Sequence, residues 1–145
     1  MTASDSRTGE VRVIALALLR HPERSAIFVD QNTAPGTGEV YHRLAGGGIE
    51  PGELARDTVA RELFEEYGLR VRVGARRAVV ENIFPFDNHL AHQIVFVFDA
   101  ELCDPADAHF DTLRSRDTDN TGVWRQTDET QVPLYPEAVR PIVPS

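Results

Sequence analysis

Three glutamates, Glu62, Glu65 and Glu66, stand at i, i+3 and i+4. At 100° per residue, a helix stacks them within about 100° of arc on one face. Like charges at this spacing repel and weaken an isolated helix by roughly 0.2–0.5 kcal/mol per pair. A cation must compensate. Arg61 is adjacent, but one guanidinium does not neutralise three carboxylates, and all 15 bases of the chain are arginines. Hard divalent cations favour oxygen ligands, and Mg²⁺ commonly takes one or two carboxylates, keeps waters and completes its shell with substrate phosphates. Just upstream, Gly46, Gly47 and Gly48 free the backbone to bring N–H and C=O groups close to a ligand. The pattern admits two readings: a solvated acidic helix face, or a divalent-metal site serving a phosphorylated ligand.

These residues need elements to hold them. Val11 to Arg20 is apolar at nearly every position and predicts a strand buried on both faces. Ser25 to Asp30 predicts a second strand, 31–39 a loop, and Val40 to Leu44 a short strand running into the glycines. Leu54 to Tyr67 predicts a helix closed by Gly68, with Ala55, Val59, Ala60, Leu63 and Tyr67 as its anchoring face. Arg70 to Phe84 and His92 to Leu102 are long strand-type runs joined by a turn, and 103–120 is an acidic loop. The stretch 121–126 is a last strand. Pro136 opens a terminal helix that Pro141 shortens. Mixed strands with one well-marked helix predict an α/β or α+β sandwich, with a polar tail over 1–10 and a single domain over 11–145.

Composition narrows the function classes. At 145 residues the chain has the size of one domain. Fifteen basic against 23 acidic residues give a net charge of −8, which disfavours long nucleic acids and anionic membranes as partners. Without lysine there is neither Schiff-base chemistry nor a Walker A loop. The single cysteine, Cys103, leaves no intramolecular disulfide and no cysteine zinc cluster. No apolar run approaches the ~20 residues of a membrane span, and the first ten residues lack a secretory stretch. The cytoplasm is the expected compartment.

Gly47, Glu53, Arg61, Glu62, Leu63, Glu65, Glu66, Gly68 and Leu69 match every defined position of the pattern G-x5-E-x7-R-E-U-x-E-E-x-G-U, where U is a bulky aliphatic residue. On this box the chain resembles the Nudix hydrolases. The resemblance implies an αβα sandwich around a mixed β-sheet. It further implies hydrolysis of a diphosphate bond in a nucleoside diphosphate linked to a variable moiety. The metal, Mg²⁺ or Mn²⁺, would be held by Glu62, Glu65, Glu66 and the Gly46 carbonyl, with Glu53 in the metal network and Arg61 holding the box loop. Glu62 is the first choice as general base, and Asp117 and Asp119 are loop alternatives. Ala45 stands where many relatives have proline, and Thr58 where a small apolar residue is common; neither change has an evident chemical consequence.

Outside the box, Arg43 reads as a bidentate phosphate donor or a surface salt bridge. Phe84 and Phe86 read as base-stacking aromatics or as packing. The expected partner is a small nucleoside diphosphate derivative such as ADP-ribose or a nucleotide sugar, and many relatives form homodimers. The alternative function is a nucleotide-sensing module without turnover. Such modules often lose box glutamates, and this chain keeps them all.

Overall fold

The computed structural model describes residues 9–86 and 88–144, so most of the tail expected over 1–10 lies outside the described residues. Nine strands and one α-helix are described: β1 Val11–Leu19, β2 Ala26–Thr33, β3 Val40–Leu44, β4 Gly46–Gly48, α1 Ala55–Tyr67, β5 Val71–Phe86, β6 His89–Leu102, β7 Thr112–Arg114, β8 Thr121–Gln126 and β9 Leu134–Tyr135. Short 3-10 helices span Pro105–Ala108 and Glu137–Ile142. The strands form two mixed sheets, in the orders β4-β1-β6-β5 and β7-β8-β2-β3-β9. This is the mixed α+β architecture the sequence predicts.

Strand β1 explains the layering. Every side chain from Ile14 to Leu19 is fully buried, as its uninterrupted apolar run requires. Its odd residues Ala15, Ala17 and Leu19 pack with Phe28, Val59, Leu63 and Tyr67 under α1. Its even residues Ile14, Leu16 and Leu18 pack with Ile27, Val29, Leu44, Leu134 and Val139 on the other side. That second side is covered by the 3-10 helix Glu137–Ile142, which carries Pro141 internally. A proline there removes a backbone donor, so no full α-helix forms in this layer.

The remaining differences are local. The glycine triplet is itself a short strand, with Ala15 opposite Gly47 in the antiparallel β1–β4 register. The loop expected at 31–39 begins only after β2 has extended to Thr33. The expected turn at 85–91 shrinks to a tight reversal between Phe86 and His89, with Asn88 at φ 65°. Helix α1 ends as expected: Gly68 adopts φ 70°, and its N–H bonds back to Phe64. Among the described residues, no helix is long and apolar enough to cross a membrane.

Candidate active site

The box loop and α1 are tied together by one guanidinium. Arg61 donates from Nε to Glu53 Oε2 at 2.7 Å and from Nη2 to Glu53 Oε1 at 3.0 Å. The same group donates from Nη1 to Glu62 Oε1 at 2.9 Å and Glu65 Oε2 at 3.2 Å, and from Nη2 to the Gly48 carbonyl at 3.2 Å. Thr58, buried in the first turn of α1, donates its hydroxyl to Glu53 at 2.7 Å. The threonine thus has a structural partner that the sequence did not disclose. These donors hold the Glu53 carboxyl down at about 2, with the Arg61 hydrogen bond as the main cause.

Glu66 is the carboxylate that Arg61 does not reach. It is only 7% exposed, and its Oε2 is buried with no hydrogen-bond partner among the described residues. Burial pushes its carboxyl up to about 8, and the charges of Asp30 and Glu62 push in the same direction. Glu62 is also shifted upward, chiefly by burial, against the pull of Arg61. Its carboxylate lies over the glycine strand: a Cβ on Gly47 would come within 2.6 Å of the Glu62 carboxyl carbon. Glycine is required there because backbone and carboxylate approach so closely. Gly46, also buried, takes φ 153° and its missing Cβ would strike the Ala15 carbonyl.

Glu53, Arg61, Glu62, Glu65, Glu66 and the glycines therefore converge. Asp117 comes near them as well. The Arg116 N–H donates to the Glu66 carbonyl at 2.8 Å, which draws the loop close, and the Asp117 charge raises both Glu62 and Glu66. The other loop acid, Asp119, is exposed and is not among the main charges that shift either glutamate. Arg43 faces the same side, opposite Asp30 in the β2–β3 register, and its charge is felt by the Asp30 carboxyl.

Phe84 and Phe86 are not brought to this cluster. Phe84 lies opposite Ala91, five residues from Phe96, and Phe86 lies opposite His89 at the hairpin tip. At about 3.3 Å per residue they stand roughly 17–23 Å along β6 from Phe96, which pairs with Ala15 beside Gly47. They also share the sheet face of Ala91, Val95 and Val97, opposite α1.

Asp30 and Tyr67 are the site residues that sequence reading missed. Tyr67 donates its hydroxyl to Asp30 Oδ1, and Asp30 is 4% exposed. A signal existed: Asp30 follows the apolar run Ala26–Val29 and continues the phase of inward-facing Phe28, a position where an acid needs a reason.

Among the described residues, no three His, Cys, Asp or Glu side chains already form a ready metal cage, and Arg61 engages Glu62 and Glu65. The orphaned Glu66 oxygen, the close-packed glycines and the all-oxygen donor set nevertheless fit a hard divalent cation. The arrangement can bind a diphosphate through a cation and activate a water beside it.

A family model described as the NUDIX domain matches residues 10–143. No curated protein matches the sequence. Among solved structures, the MutT Nudix hydrolase of Burkholderia pseudomallei is 23% identical, aligns over 92% of this chain and 96% of its own, and superposes with a TM-score of 0.66. The E. coli ORF135 protein is 23% identical over 92% of this chain and 86% of its own, with a TM-score of 0.60. The MutT protein of Methanosarcina mazei is 18% identical over 88% of each chain, with a TM-score of 0.61. At these identities the superpositions speak for the fold alone; with the family match over nearly the whole chain, they establish that this protein belongs to the Nudix hydrolase family.

Proposed function

We propose that this protein hydrolyses the pyrophosphate bond of a nucleoside diphosphate linked to a second moiety, using Mg²⁺ or Mn²⁺ held by Glu62, Glu65, Glu66 and the Gly46 backbone. Cleavage of a pyrophosphate bond is the chemistry of the family; the substrate, the metal and the residue roles are this proposal. The observation that carries it is the buried, partnerless Glu66 Oε2 beside Asp30 and Glu62. An isolated acid there would be costly to ionise, and a cation relieves that cost.

A divalent cation at such a site supplies Lewis acidity and a more acidic water. The chain supplies the rest. Glu62, half-buried beside Arg61 at 2.9 Å, accepts the proton of the attacking water. Arg43 donates to a substrate phosphate oxygen. Arg61 and Glu53 are positioning residues: their paired bonds fix the glycine strand against α1. For the homodimer, a second copy is proposed to pack on the exposed Val11, Val13, Val79, Ile83 and Leu90; a monomer by light scattering would remove that partner.

The test is a panel of ADP-ribose, dinucleoside polyphosphates, nucleotide sugars and nucleoside triphosphates, with and without Mg²⁺ or Mn²⁺. The expected result is metal-dependent release of a phosphorylated product that Glu66→Gln abolishes. Tight nucleotide binding with no turnover of any compound would overturn the enzyme reading in favour of a sensing module.

A further inference from the structure

We propose that Tyr41 and Tyr135, together with Arg43, form the subsite that takes the planar base of the substrate's nucleotide half. The proposal rests on the diphosphate reading above and adds the residues that select the base. Strand register carries it. Asp30, Arg43 and Tyr135 lie in one row across β2, β3 and β9, and Asn32 and Tyr41 form the next row. Directly opposed residues on neighbouring strands share a face. Asp30 meets Tyr67 of α1, so the whole set faces the carboxylate side. The alternate residues Leu44 and Leu134 point into the opposite core.

Three of the side chains on this face, Tyr41, Arg43 and Tyr135, are unspent. Tyr135 is 39% exposed although it is a large aromatic on a two-residue edge strand. Its ring meets that of Tyr41 at 5.7 Å between centroids and 63° between planes. An edge-to-face pair leaves a ring face open for a third planar partner. Among the described residues, neither phenol makes a hydrogen bond, and the Arg43 guanidinium makes no hydrogen bond or ion pair. Arg61 and Arg125, in contrast, are fully engaged with carboxylates, carbonyls or His42.

An uncommitted cation beside an open aromatic face is the chemistry that recognises a phosphate followed by a flat ring. Tyr135 sits two strand spacings from Asp30, about 10 Å, with Arg43 between them on β3. Other aromatic groups are engaged elsewhere, the exposed Phe64 ring of α1 by the Arg70 guanidinium at 4.6 Å. Phe28, Phe110 and Trp124 pack on one another around the core under α1, and Phe84 and Phe86 share the opposite sheet face.

The experiment measures binding rather than turnover, so its failure and that of the enzyme reading are distinguishable. The full chain in Mg²⁺ is titrated calorimetrically with AMP, GMP, UMP, CMP and ribose 5-phosphate. At least one nucleoside monophosphate is expected to bind about tenfold or more tightly than ribose 5-phosphate, the scale of one base stacked on an aromatic ring. Tyr135→Ala and the size-matched Tyr135→Leu bring that preference to within about twofold, and Tyr135→Phe retains it. Arg43→Ala weakens the monophosphates and ribose 5-phosphate alike. The proposal is overturned if no monophosphate binds more tightly than ribose 5-phosphate, or if the preference survives in folded Tyr135→Leu.

Discussion

Arg61 grips Glu53 through two nitrogens, Nε at 2.7 Å and Nη2 at 3.0 Å, while Nη1 of the same guanidinium holds Glu62 at 2.9 Å. The loop acid and an acid of α1 are thereby locked to one planar group. A lysine ammonium cannot reproduce that fork. Arg61→Lys is expected to lower kcat by roughly 10–100-fold, the scale for groups that orient metal ligands. It should also cost about 1.5–3 kcal/mol in urea unfolding. An activity within twofold of wild type would show that the fork is dispensable.

The two neighbouring glycines should fail differently. In Gly47→Ala the new Cβ falls 2.6 Å from the Glu62 carboxyl carbon, a side chain that can move. The protein is expected to fold, with Tm lowered by a few degrees, and to lose about 100-fold in kcat as Glu62 is displaced. In Gly46→Ala the obstacle is the Ala15 backbone, and Gly46 itself sits at φ 153°, so soluble folded protein is expected to drop sharply. Circular dichroism melts of both variants check the contrast; equal stability would refute it.

Without metal, Glu66 makes stability depend on pH. Its carboxyl is raised from 4.5 to about 8, so between those values the folded state holds a proton that the unfolded chain has released. Stability is full below 4.5 and falls as pH rises toward about 8, by up to about 1.4 kcal/mol per unit for this group. Glu53, depressed to about 2, works in the other sense and only below 4.5. Thermal melts in chelator from pH 6.5 to 8, above the range in which His42, lowered to about 4, acts in the opposite sense, should show Tm declining, and Glu66→Gln or added Mg²⁺ should flatten the decline. A flat wild-type profile in chelator would contradict this assignment.

Tyr67→Phe removes the hydroxyl that Asp30 accepts while keeping the ring, which meets Phe28 edge-to-face at 4.9 Å. Asp30 is then a buried carboxyl with its main donor gone. A loss of about 1–3 kcal/mol is expected, partly recovered in Tyr67→Phe/Asp30→Asn because no charge remains to be buried. A double-mutant cycle measures the coupling; strictly additive losses would mean that the pair is not coupled.

What the sequence determined by itself is local. The helix read over Leu54 to Tyr67 is present as Ala55–Tyr67 with Gly68 at its left-handed cap. Glu53, Arg61, Glu62, Glu65 and Glu66 meet because they lie on one turn-loop-helix unit, where a period of 3.6 residues fixes which side chains share a face. The tertiary structure decided everything that depends on strand register. Asp30 reaches Tyr67 across 37 positions, and Arg43 acquires Tyr135 as neighbour only because β9 runs parallel to β3 at the sheet edge. Phe84 and Phe86 ended on the far face for a related reason. They oppose Ala91 and His89 on the β6 face of Val95 and Val97, and the two one-residue shifts at Val73/Arg76 and Arg76/Ala78 cancel in phase, moving the pairing by two residues without changing the face. Periodicity along a single strand carries no record of the partner strand or of the sheet face that α1 covers, so only the assembled sheets settle which aromatic groups look toward the carboxylates.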